Sequence, residues 1–233
     1  EGQGVLIRSI VGEQITKKVL EHSAFQGSLS ETVSFRDPFG QNLTSNYAHA
    51  QEKEFTDSIP LVFNNKVGFI EKSEITRNYG WVNQIKVILP KASDGKGSQK
   101  GLSVLGEPIA LDAGSACTQS YLVAGRFNKK EEARNFAYYL TTKFVRFLAL
   151  QRKTSQNLTS DAFRFVPALD MSRKWTDPDL YELFELSQSE IDTIEESLVD
   201  RDYIDSLDSP VPKTHLPGGR KFNTPLVEED EVD

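Results

Sequence analysis

Between Asn128 and Arg152, the apolar residues Ala133, Phe136, Ala137, Leu140, Phe144, Phe147, Leu148 and Leu150 recur mostly at spacings of three and four. That spacing gathers them on one wide face of a helix. Asn128 reads as its N-cap, and Glu131 and Glu132 in the first turn suit the positive end of the helix dipole. A helix this apolar on one side has to bury that side against a second layer of structure.

The preceding half of the chain offers strands for that layer. Ile59 to Val62 and Lys66 to Ile70 flank Asn64-Asn65, a hairpin signal because asparagine tolerates positive φ. Ile85 to Leu89, Glu107 to Leu111 and Ser120 to Ala124 read as further strands, the last two separated by Asp112-Ala113-Gly114-Ser115. Ser73 to Asn78 reads as one helical turn, and Leu158 to Val166 as a short helix and a strand ended by Pro167. Two small helices are expected after Trp175, one opened by Thr176-Asp177-Pro178-Asp179 and one by the capping box of Ser187 and Glu190. Another amphipathic helix is expected from Ile7 to Glu21. The fold class expected is α+β: a mixed or antiparallel sheet packed on a long helix, followed by small helices and a disordered acidic tail.

The charge distribution qualifies the net −7 of the 233 residues. Residues 1–174 hold 23 Lys and Arg against 17 Asp and Glu, a balance of +6, and residues 175–233 hold 4 against 17, a balance of −13. A mildly basic body with an acidic tail is compatible with nucleic-acid binding by the body. Cys117 is the single cysteine, which excludes an intramolecular disulfide and fits a reducing cytoplasm. No apolar run approaches the roughly 18 residues of a membrane span. The chain opens at Glu1 without a methionine, as a piece of a longer parent protein would.

Catalytic signatures are missing from the sequence. There is no phosphate-binding glycine loop ending in Gly-Lys-Ser/Thr and no Gly-x-Ser-x-Gly elbow. His22, His49 and His215 are scattered and stand at no metal-ligand spacing. Asp94-Gly95-Lys96 has the form of half a magnesium-nuclease motif without a convincing acidic partner upstream.

Four stretches, in this order, carry a resemblance: Ser34-Phe35-Arg36-Asp37-Pro38-Phe39-Gly40, Asn65-Lys66-Val67-Gly68-Phe69-Ile70, Trp81-Val82-Asn83-Gln84-Ile85-Lys86-Val87, and Lys143-Phe144-Val145-Arg146-Phe147-Leu148. Lys153 to Asn157, Phe165-Val166-Pro167 and Trp175-Thr176-Asp177 continue it. The order resembles the C-terminal target-recognition region of TaqI-like adenine-specific DNA methylases of restriction-modification systems, over roughly residues 30–198. The resemblance implies a DNA-reading module that lacks the family's cofactor loop and its Asn/Asp-Pro-Pro-Tyr/Phe motif. S-adenosylmethionine is then expected in the parent protein and no cofactor in this chain. The implied partners are double-stranded DNA, the methylase domain of the same parent chain, and restriction or helicase subunits. The expected division is a helical lead-in at 1–30, the recognition domain at 31–170, a helical segment at 171–208 and the acidic tail at 209–233.

Direct readout needs directed hydrogen-bond donors and acceptors, with arginine suited to guanine and asparagine or glutamine to adenine. Three loops supply them. The first centres on Arg36, the second on Lys91 and Lys96, and the third on Arg152, Lys153, Gln156 and Asn157. Two alternatives stand beside this reading: a protein-interaction module that tethers the methylase to a helicase or nuclease subunit, and a metal-dependent nuclease.

Overall fold

The computed structural model describes residues 10–64, 66–92, 104–153, 157–202 and 207. Among them are five α-helices and six strands, an α+β arrangement in which the strands form two three-stranded sheets rather than one. The first sheet joins β1 (Ser58–Phe63), β2 (Lys66–Glu71) and the short β5 (Ala116–Cys117) in the order β2-β1-β5. β1 and β2 form the expected hairpin, with Phe63 opposite Lys66 and Asn64 at a φ of 44°. β5 runs parallel to β1, with Leu61 opposite Ala116. The sequence reading lacked β5, because two residues are too few to show an alternation.

The second sheet joins β3 (Ile85–Pro90), β4 (Ile109–Leu111) and β6 (Tyr121–Phe127) in the order β4-β3-β6, antiparallel throughout. Its side chains divide between two cores by the period-two rule. Ile85, Val87, Leu89, Ala110, Leu122 and Ala124 face the helices, while Ile88, Ile109, Leu111, Tyr121 and Val123 pack with Leu61, Val62, Ile70, Ala116 and Cys117 of the first sheet. Gly125 lets α2 come close to the sheet: a Cβ there would stand 2.8 Å from the Phe136 ring.

The long helix expected from 128 to 152 is two helices. α2 (Lys130–Thr141) and α3 (Lys143–Arg152) meet at Thr142, whose ψ of 148° is extended. The break is stabilised by three hydrogen bonds to two side chains. Thr142 Oγ1 accepts the Val145 N–H, and the Asp177 carboxylate accepts the N–H groups of Lys143 and Phe144 at 3.0 and 2.8 Å. These partners satisfy donors that a helix start leaves open. The apolar stripe continues across the junction because both helices bury against the same core. The helix starts at Lys130, with Lys129 rather than Asn128 at the cap position.

α1 (Ile10–Glu21) packs on α3. α4 (Asp177–Leu183) carries the capping box of Thr176 and Asp179, and α5 (Gln188–Ser197) that of Ser187 and Glu190. Phe144 stacks on Phe184 at 5.2 Å and meets Tyr181 edge-on, which ties α4 to α3. Ser73 lies in a 3-10 turn at Lys72–Glu74, and the segment read as helix and strand holds the 3-10 turn Ser160–Phe163. The expected acidic tail at 209–233 lies outside the described residues. No helix among the described residues is long and apolar enough to cross a membrane.

Candidate nucleic-acid interface

The three loops singled out in the sequence meet at one end of the second sheet. Pro90, the last residue of β3, pairs with Tyr121, the first of β6, so the chain leaving β3 and the chain entering β6 share an edge. The Lys91 N–H donates to Ser120 O at 2.8 Å and extends that pairing by one step. On the other side, the Leu158 N–H donates to Lys91 O at 2.8 Å, and Ala92 forms a bridge with Asn157. Lys153 donates through Nζ to Val104 O at 2.9 Å, so the chain at the end of α3 also reaches Val104.

The Arg36 turn joins this end through Ser34. Its N–H donates to Val123 O at 2.8 Å, and its Oγ accepts the Val123 N–H at 2.9 Å. Beyond it the backbone is held in an unusual shape, with Asp37 at a φ of 59° and Gly40 at 141°. Phe39 is fully buried, and Asn78 donates to Pro38 O at 2.7 Å. A Cβ at Gly40 would come within 2.2 Å of Thr76 Oγ1, so only glycine fits there. The result is a stiff turn that presents Phe35, 83% exposed, and the exposed Arg36 to solvent.

Arg36 Nη2 donates to Gln119 Oε1 at 3.2 Å, and its Nε stands 3.6 Å from Asp37 Oδ1. The second distance is ion-pair range rather than a hydrogen bond, and that buried oxygen has no donor among the described residues. Lys91 is half-buried. Desolvation lowers its pKa, the Arg36 guanidinium lowers it further, and Asp37 acts in the opposite sense. Arg36, Asp37 and Lys91 therefore share one electrostatic neighbourhood.

Arg152 and Lys153 differ from the other candidates. Arg152 clasps Asp161 through Nε at 2.8 Å and Nη2 at 3.3 Å, and its side chain is 14% exposed. Lys153 is half-buried with its ammonium on a backbone carbonyl. Both brace the segment that carries the exposed Asn157. Lys96 and Gln156 lie outside the described residues.

Phe35 and Gln119 belong to this end of the molecule and were not singled out in the sequence. Phe35 had one readable signal, an aromatic in a turn that belongs to neither a strand nor a helix pattern. Gln119 had none.

The other chemical candidates sit elsewhere. Cys117 is fully buried between the sheets, and burial pushes its thiol up to about 12, far from a thiolate nucleophile at neutral pH. His22 packs edge-on to Phe184, and His49 to Tyr47. His215 and the Asp94-Gly95-Lys96 triplet lie outside the described residues. Among the described residues, no three His, Cys, Asp or Glu side chains gather where they could hold a metal ion. No protein-family model matches the chain, and no curated protein sequence or solved structure does either.

Proposed function

We propose that this chain is the sequence-specific DNA-recognition module of an adenine-specific restriction-modification methyltransferase, whose catalytic domain belongs to the same parent protein. The observation that carries the reading is the meeting of Arg36, Lys91 and Asn157 at one end of a sheet, from loops more than fifty residues apart in the chain. Loops held by a rigid scaffold are where readout side chains are normally found. Arg36, oriented by Gln119, has the fork geometry that suits guanine O6 and N7. Asn157 has the donor and acceptor pair that suits adenine. Lys91 contacts phosphate, and Phe35 meets a thymine methyl or a sugar edge. Arg152 and Lys153 act by holding the Asn157 segment in place. The reading sets the protein in the cytoplasm, with S-adenosylmethionine bound by the methylase domain.

The test is selection from a pool of randomised duplexes with the full chain, followed by anisotropy titrations across salt concentrations. The expected results are enrichment of a short motif and a linear fall of log affinity with log salt. Lys91→Ala should flatten that slope by about 1. Arg36→Ala should cost about 1–3 kcal/mol on the enriched motif and less on other duplexes. A chain that binds no duplex at low salt, or one whose binding neither change alters, refutes the assignment.

A further inference from the structure

A cleft of about 590 Å³ opens beside the junction of α2 and α3, at the opposite end of α3 from the loops described above. Its walls include Tyr138, Lys143, Arg146, Lys174, Asp177 and Arg201. We propose that this cleft binds a small phosphomonoester, with Arg146 as its principal oxyanion ligand and Lys174 at its mouth.

Arg146 carries the argument. It is fully buried, an unusual place for a guanidinium, which keeps its proton at any ordinary pH. Nε donates to Thr141 O at 2.9 Å and Thr142 O at 3.3 Å, and Nη2 donates to Val199 O at 2.6 Å. Nη1 has no acceptor among the described residues. Three backbone carbonyls are its direct partners; no carboxylate among the described residues comes within ion-pair distance, and Asp177 and Asp200 act on its charge only from further away. With two nitrogens committed to backbone, Nη1 is the donor left over on a side chain that lines the cleft. A buried cation with an open donor is the arrangement an incoming oxyanion completes.

The neighbours point the same way. Arg201 also lines the cleft and its charge acts against that of Arg146, although its Nη1 donates to Leu105 O at 2.6 Å and Glu107 acts on it favourably; two cations in one cleft wall favour an anion there. Lys174 stands 3.6 Å over the Tyr138 ring, with no ion pair among the described residues. Asp177 and Asp200 in the wall act on Arg146 from a distance, but their direct partners lie elsewhere. Asp177 accepts the first two N–H groups of α3, and burial raises its pKa. Asp200 pairs with Lys143 at 3.0 Å and is 95% exposed, and Asp202 is exposed near it. The volume is that of a small-molecule site rather than of a single ion. The ligand therefore needs an organic body behind its phosphate. This inference does not rest on the DNA reading.

The test uses the full chain and two probes, inorganic phosphate and a nucleoside 5′-monophosphate, by calorimetry and by thermal shift in a low-chloride buffer. Saturable one-site binding of the monophosphate is expected, roughly tenfold tighter than inorganic phosphate, with a matching rise in Tm. Lys174→Ala should weaken it about fivefold to tenfold, and Arg146→Lys more than tenfold. If Arg146→Lys fails to fold, the surface change Lys174→Ala decides. Lack of saturation by either probe up to about 10 mM, or binding that Lys174→Ala leaves unchanged, overturns the proposal. So does displacement of the monophosphate by duplex DNA, which would assign the cleft to a polymer backbone.

Discussion

Lys86 offers the sharpest physical test of the fold, because its ammonium is fully buried between the two sheets. Nζ donates to Ser115 O at 2.9 Å, to Ser115 Oγ at 3.2 Å and, more weakly, to Val82 O at 3.4 Å. No carboxylate pairs with it directly, and burial lowers its pKa from 10.5 to about 8. A depressed base binds protons less tightly folded than unfolded. Stability linked to Lys86 is therefore fully present above the unfolded value and lost as pH falls through about 8. From pH 7 to pH 9.5, this linkage raises folding stability by about 2 kcal/mol. Cys117 opposes it. Its thiol is raised when folded, so the unfolded chain alone ionises near pH 9, which removes up to about 1 kcal/mol by pH 9.5. The comparison that isolates Lys86 is wild type against Lys86→Met, each unfolded in urea at pH 7 and pH 9.5. The variant should lose the rise of about 2 kcal/mol and keep the decline due to Cys117. At pH 7 its stability should lie close to that of wild type: it removes a buried charge, and Val82 O keeps the Gly114 N–H at 2.7 Å and Ser115 Oγ its bond to Asp112 O, but Ser115 O loses the donor it had at 2.9 Å. Equal pH dependence in the two proteins would refute the assignment of a buried, depressed ammonium.

Three further outcomes are expected. Gly40→Ala should destabilise by about 2 kcal/mol or more in urea denaturation, because φ is 141° and the new Cβ meets Thr76 Oγ1 and Asn42 Oδ1. A double-mutant cycle of Arg152→Ala and Asp161→Ala should return a coupling energy of about 1 kcal/mol, from a two-point contact with one partner mostly buried. Thr176→Ala should lower stability by about 1 kcal/mol by thermal denaturation, since it removes half of the α4 capping box.

The elements that sequence pattern revealed are those whose signal is local. The hairpin around Asn64, the capping boxes of Thr176 and Ser187, and the apolar stripe of α2 and α3 each depend on residues within a few positions of one another. The break at Thr142 was hidden because its causes are distant. Asp177, which takes the first N–H groups of α3, comes from the start of another helix. The division into two sheets was hidden for a similar reason. β3 reads as one apolar run, and although period-two alternation sends Ile88 to the opposite face from Val87 and Leu89, nothing local says that a second sheet covers that face. Lys86 in that run was the available clue, a charge in a strand that was otherwise uninterrupted.

The candidate site was legible in its residue types and hidden in its contacts. Arg36, Lys91 and Asn157 were recognisable as readout chemistry on loops, but their meeting depends on the antiparallel pairing of β3 with β6, which brings Lys91 to Ser120. That pairing spans thirty residues and is set by two-sided burial, not by any turn signal between the strands. Arg152 shows the limit from the other side. An arginine at the C-terminal end of a helix suits both dipole compensation and DNA contact. Its commitment to Asp161, nine residues on, has no helical spacing to announce it, because α3 ends at Arg152. Two arginines that look alike in sequence therefore take different roles in the proposed interface. Arg36 stands exposed on a turn stiffened by Gly40 and Ser34, where side-chain truncation removes a contact and spares the core. Arg152 is held inside a salt bridge, where truncation loosens the Asn157 segment and lowers stability with affinity. Stability and affinity measured together on the two alanine variants distinguish contact from brace. Affinity alone should fall for Arg36, and both should fall for Arg152.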